Sequence, residues 1–158
     1  MGERTTISGH IQEPWYVMGT KGSDDPQLLL LEALNHAVIM ELPEIDVVPP
    51  LARTMFTFSN TGEHSQNTYR GRVIYFGGSY HSIWAEWEEW LTKFECLLRR
   101  LYWEHASLVL VSEYFGTHHY FWDAAEESPM SLAETPPRTT DRWVFSGGPR
   151  SFWPTPSE

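Results

Sequence analysis

Residues 82–103 constrain the fold more than any other stretch of the chain. At ~100° per residue, Ile83, Trp87, Trp90, Phe94, Leu97 and Leu101 fall with Trp84, Leu91, Leu98 and Tyr102 on one broad apolar face. A helix with that face belongs in a core. Ser82 is a suitable N-cap, Glu86, Glu88 and Glu89 crowd the early turns, and Arg99 and Arg100 stand near the end, as the helix dipole favours. The opposite side carries Glu88, Thr92, Glu95, Cys96, Arg99 and Trp103, with Glu89–Lys93 and Glu95–Arg99 spaced for weak i,i+4 pairs.

What the helix packs against follows from the flanking segments. Residues 5–13 place Ile7 and Ile11 on one face of a strand that Pro14 closes. Asp25-Pro26 is an N-cap followed by proline at the first helical position and opens a helix over 26–40. Its Leu28, Leu31, Leu34 and Val38 face the sheet, and Glu32 and Asn35 leave room for a polar side. Val47-Val48-Pro49-Pro50 is an extended connector. Residues 53–60 and 69–78 are expected strands that could pair antiparallel.

After His105 the pattern becomes that of a hairpin. Residues 106–115 form its first strand, partly buried on both faces, Gly116 its turn and residues 118–123 its second strand. Residues 124–140 read as a loop and 142–145 as a last short strand. Strands before and after two helices, without regular βαβ alternation, favour an α+β fold: a mainly antiparallel sheet with helices 26–40 and 82–103 on it. One domain over 1–148 is expected, followed by a proline-rich tail, 149–158, read as a disordered end that carries a docking aromatic pair, Phe152 and Trp153.

Several classes of function are disfavoured. No stretch approaches the ~20 apolar residues that span a bilayer. A polar opening without an apolar signal core, and a single cysteine, fit a cytoplasmic location. The formal charge of −10 disfavours direct nucleic-acid binding, which needs clustered Lys and Arg. The same charge speeds encounter with a basic protein, although it serves solubility equally well. Eight tryptophans exceed what packing needs, so some are expected at a binding surface.

Chemical sites are weakly supported. His118-His119 with Glu113 or His105 offers zinc-type ligands, but neighbours on a strand point to opposite faces. Cys96 is mid-helix, away from the N-terminal amides that would activate it. Ser79, Ser82 and Ser146 lack an esterase elbow, and Gly147-Gly148-Pro149 is not a phosphate loop. Glu86, Glu88 and Glu89 share a helix surface and do not face each other across a cleft. No motif requires a cofactor or metal.

Recognition of a protein partner remains. Residues 82–127 carry nine acidic and three basic side chains, a local charge of −6, with Trp103, Tyr120 and Trp122 among them. The expected interface is therefore Glu86, Glu88, Glu89, Glu95, Trp103, Glu113, Tyr120, Trp122, Asp123, Glu126 and Glu127.

The opening Ile7-Ser8-Gly9-His10-Ile11, the segment Val73-Ile74-Tyr75-Phe76-Gly77-Gly78-Ser79 and the run from Trp87 to Glu95 into Leu97-Leu98 resemble bacterial polymorphic-toxin immunity proteins. The likeness is to the immunity family that accompanies toxins of a restriction-endonuclease-like fold. Leu108–Val111, Glu113, Gly116, Tyr120 and Trp122 extend it. The resemblance implies a cytoplasmic antidote that binds a cognate toxin, a nuclease effector, and blocks it without catalysis. The alternatives are a small enzyme using His118 or His119, Glu113 and Tyr120, or a structural adaptor subunit.

Overall fold

The order of elements in the computed structural model puts the first strand near the middle of the sheet. The structure describes residues 3–14, 26–46, 49–59, 72–124 and 139–153. Along the chain run β1 (Arg4–Gln12), α1 (Pro26–Met40), a 3-10 turn (Arg53–Met55), β2 (Phe56–Phe58), β3 (Val73–His81), a second 3-10 turn (Ile83–Glu86), α2 (Trp87–Leu98), β4 (His105–Ser112), β5 (Gly116–Ala124) and β6 (Trp143–Gly147). The six strands form one sheet in the order β2-β3-β1-β4-β5-β6, every neighbouring pair antiparallel. The architecture is the α+β domain expected from the sequence, with two helices packed on the sheet.

Period-two alternation decides which face is covered. Ile7 and Ile11 of β1 stand beside Ile74 and Phe76 of β3, and Ala106, Leu108 and Leu110 of β4 beside Tyr120 and Trp122 of β5. All of these are buried, and they join Trp87, Trp90, Leu91, Phe94, Leu97 and Leu98 of α2 in one core. Rings dominate it: Trp87 stacks on Trp90 at 5.2 Å, Trp90 on Phe94 at 5.5 Å, and Phe94 meets Trp122 at 5.0 Å. Burial of each such side chain stabilises by roughly 1.5–3 kcal/mol before entropy is counted. β4 alternates fully buried residues with half-buried ones at His105, Ser107 and Val109 and an exposed Val111, in keeping with the partial burial expected on both faces. The opposite face presents Tyr75, Val111, Phe121 and Val144 to solvent.

Close approach explains Gly9. A Cβ there would lie 2.3 Å from the Ser107 carbonyl oxygen and 2.6 Å from the Phe76 ring. The missing side chain lets Phe76 cross over β1 toward α2.

Three local expectations need correction. The segment 53–60 is strand only over Phe56–Phe58, preceded by the 3-10 turn. Ser82 is not a helix cap: it adopts left-handed geometry, with φ of 56°, and opens a 3-10 turn instead. α2 ends at Leu98, where Arg100 and Leu101 donate backbone bonds to Leu97 and Leu98 and tighten the last turn. Trp103 therefore leaves the helix and folds inward, its Nε1 donating to Leu98 O and Thr140 O at 2.9 and 3.1 Å.

On α1, Leu31 and Ile39 are buried, and so is Asn35, which had been assigned to a polar side. Asn35 donates to Glu13 and to Tyr102 O, and accepts from Tyr102 N, at 2.7–2.9 Å. Arg72 completes this buried bracket with a two-armed ion pair to Glu13. Burial raises the carboxyl pKa of nearby Glu32, partly offset by Arg72 and reinforced by Glu13.

Candidate functional site: an aromatic end patch rimmed by glutamates

The end of the sheet beside the first turn of α2 is assembled by Glu3. This carboxylate, 2% exposed, accepts from the hydroxyls of Thr5 and Ser112 and from Tyr114 N at 3.4 Å. Ser112 Oγ in turn accepts from Tyr114 N and Phe115 N, at 3.2 and 3.0 Å. The Glu3 backbone clasps Ser82 in both directions: its N–H donates to Ser82 Oγ at 3.0 Å, and its carbonyl accepts from Ser82 N at 2.6 Å. One buried residue thus fixes both the turn Glu113–Phe115 and the entrance to the 3-10 turn Ile83–Glu86.

The segment after β6 supplies the third wall. Tyr120 accepts from Trp87 Nε1 at 2.9 Å and donates to Pro149 O at 2.6 Å. Burial pushes the Tyr120 phenol up to about 12, against the opposing influence of Trp87 and Arg150. Arg150 grips Glu95 with both arms of its guanidinium. Phe152 then packs on Phe115 at 4.8 Å and on His118 at 5.2 Å. Trp153 packs on Trp84 at 5.1 Å and donates to Ala85 O at 2.6 Å. The expected docking of Phe152 and Trp153 is what these contacts describe.

The result is a cluster of rings drawn from three separate segments, with Trp84 on Phe115 at 5.3 Å joining the first two. Tyr114, Phe115 and Trp153 remain 68%, 37% and 56% exposed, against the rule that large rings are covered. The Trp84 indole N–H is buried here without an acceptor among the described residues. Glu86 follows Ala85 on one side and Glu113 precedes Tyr114 on the other, while Glu88 and Glu89 are exposed on the first turn of α2. Arg4 stands 3.9 Å from Glu113, both exposed, a contact of little strength.

The sequence-expected interface is therefore divided. Glu86 and Glu113 flank the aromatic end, next to Ala85 and Tyr114, while Glu88 and Glu89 are exposed on the first turn of α2. Glu95, Trp103, Tyr120 and Trp122 do not belong to any surface: all are buried, and Glu95 is occupied by Arg150 and by Trp122 Nε1 at 2.9 Å. Asp123 is on the far face of the sheet, bonded to His105 Nδ1 at 2.6 Å. Glu126 and Glu127 lie outside the described residues. Sequence reasoning missed Glu3, Tyr114 and Phe115, and it expected Trp153 to dock without naming Trp84 as the ring it meets. The Tyr-Phe pair at a turn beside glycine was the available signal.

The alternative cleft does not assemble. His118 bonds Phe115 O at 2.7 Å and its ring meets Phe152, whereas His119 points to the opposite face beside Phe121. Tyr120 lies in the core with both its hydrogen bonds made, and Glu113 stands at the turn by Arg4. On the open face, Ser107 Oγ is 3.1 Å from His10 Nδ1, and burial and His105 lower the His10 pKa. That pair sits where β1 and β4 pair, His10 opposite Ser107. Among the described residues no group of three or more His, Cys, Asp or Glu is arranged to hold a metal ion, and Cys96 is an exposed free thiol on α2. Among the described residues no helix is long and apolar enough to cross a membrane. Comparison of the chain with family models, with curated proteins and with solved structures returns no match.

Proposed function

We propose that this chain is an immunity protein, which binds a cognate bacterial toxin in the cytoplasm and neutralises it by protein–protein contact without turnover. The toxin is a nuclease effector whose substrate channel is basic. The observation that carries this reading is the solvent-facing cluster of Tyr114, Phe115 and Trp153 flanked by Glu86 and Glu113. Exposed aromatics with a charged rim are the anatomy of a protein interface, and a net charge of −10 suits a basic partner. Support also comes from the dispersal of His118, His119, Glu113 and Tyr120, which leaves the enzymatic alternative without a constellation. The resemblance to the immunity family, in pattern over most of the chain, points the same way.

The test is co-expression with the toxin encoded beside this chain in its native genome, followed by purification of the pair. Survival of the host, together with a stable complex of fixed stoichiometry, is the expected result. Host death with both proteins folded and expressed would exclude the reading.

A further inference from the structure

We propose that the aromatic end patch docks a basic segment of the partner, with arginine and lysine side chains lying over Trp153, Tyr114 and Phe115 and meeting Glu86 and Glu113. The inference rests on the binding-protein reading above and adds to it the surface and the chemistry of its occupant.

Charge complementarity selects that occupant. A purely apolar partner would strip water from the glutamates at the rim without replacing their hydrogen bonds, at a cost of several kcal/mol. A nucleic acid would meet carboxylates and a chain of net charge −10. A guanidinium or ammonium group satisfies both halves of the surface, because it is attracted to ring faces and to carboxylates alike. The chain's own packing uses the same chemistry: the guanidinium groups of Arg72, Arg99 and Arg150 lie over Phe58, Trp143 and Phe145 at 4.5–4.8 Å. The local cations do not neutralise the rim. Arg4 is 3.9 Å from Glu113, and His118 is engaged with Phe115 O.

Rigidity makes the patch a preformed one. Glu3 holds the turn that carries Tyr114 and Phe115, and the Glu95–Arg150 pair holds the segment that carries Trp153. Rings fixed before binding lose little freedom on docking, which is where aromatic contacts gain over flexible ones.

The experiment is an NMR titration of the ¹⁵N-labelled full chain with an oligo-arginine peptide at physiological ionic strength, using oligo-glutamate and glycine-serine peptides of equal length as controls. The Trp153 indole and the Tyr114 and Phe115 amides should shift first and saturate together. The Trp153→Ala/Glu113→Gln variant should bind about tenfold more weakly while its amide spectrum away from the patch stays that of the folded parent. Glu44→Gln, which removes a charge elsewhere, should bind as the parent does. Shifts spread evenly over all exposed acids, or an equal loss from Glu44→Gln, would overturn the assignment. The same double variant separates the two readings. If it still protects cells from the toxin as the parent does, the patch assignment fails while the immunity reading stands. If the peptide docks on the patch but the parent neutralises no toxin, the patch stands and the immunity reading fails.

Discussion

Glu95 and Arg150, 55 residues apart, form a two-armed ion pair that fastens the C-terminal segment to α2. The carboxylate is buried and also accepts from Trp122 Nε1, so it reads out the presence of the segment from within the core. Arg150→Met leaves Glu95 short of its cation, and the expected loss is about 2 kcal/mol of stability. Chemical denaturation should show a lower midpoint with the same slope, and Trp153 fluorescence should become more water-like before global unfolding.

Glu3→Ala should loosen the patch more than its position near the end of the described chain would suggest. It removes the acceptor for Thr5, Ser112 and Tyr114 N, at an expected cost of about 2–3 kcal/mol. Hydrogen exchange should accelerate at Tyr114, Phe115 and Ser82 while the β1–β3 ladder stays protected.

Gly9→Ala should destabilise by about 2 kcal/mol or more, because the new methyl meets the backbone of β4 as well as Phe76. A paired Phe76→Leu substitution should recover only part of the loss, since the Ser107 carbonyl cannot move away. Thermal unfolding of the two variants tests this.

Asn35→Leu should cost about 2–3 kcal/mol, as it removes the donor to Glu13 and both bonds to Tyr102 within a buried site. Asn35→Asp should be worse at neutral pH, since a carboxylate would face Glu13. Urea midpoints at neutral pH rank the three proteins.

Opposed pH dependences are built into one end of the sheet. The folded pKa of His10 lies below its ordinary value of 6.5, through burial and His105, so the unfolded chain takes up that proton first. Its contribution is full above pH 6.5 and is lost as pH falls through the folded value. Glu104 behaves the other way: burial raises its pKa above 4.5, so folding is favoured as pH falls through the raised value. His10→Asn should remove the acid-side loss between neutral pH and the folded pKa of His10, and Glu104→Gln should remove the opposing gain. Midpoints measured from neutral pH down to 4.5 for parent and variants decide both signs.

The elements that were legible in the sequence are those whose burial obeys one period. α1 spans 26–40 as its proline and leucines indicate, and β1, β3 and the β4–β5 hairpin lie within a few residues of their patterns. α2 misled at both ends because local signals gave way to tertiary contacts. Ser82 was claimed by Glu3, and the run from Arg99 to Trp103 kept a helical apolar pattern although the chain there turns back to start β4. Glu95 lay on the polar side of a helical wheel, and only Arg150, distant in sequence, turns it into a core residue. The acids at the rim were legible from charge density alone. Their aromatic partners were not, because no local pattern connects Trp84, Phe115 and Trp153.

The central place of β1 also dictates when the protein can exist as a fold. Residue 4 pairs with residue 81 on one side, and residue 5 with residue 112 on the other. β1 therefore has neither sheet neighbour until residues 73–81 and 105–112 have been made, and until then its Ile7 and Ile11 stay uncovered.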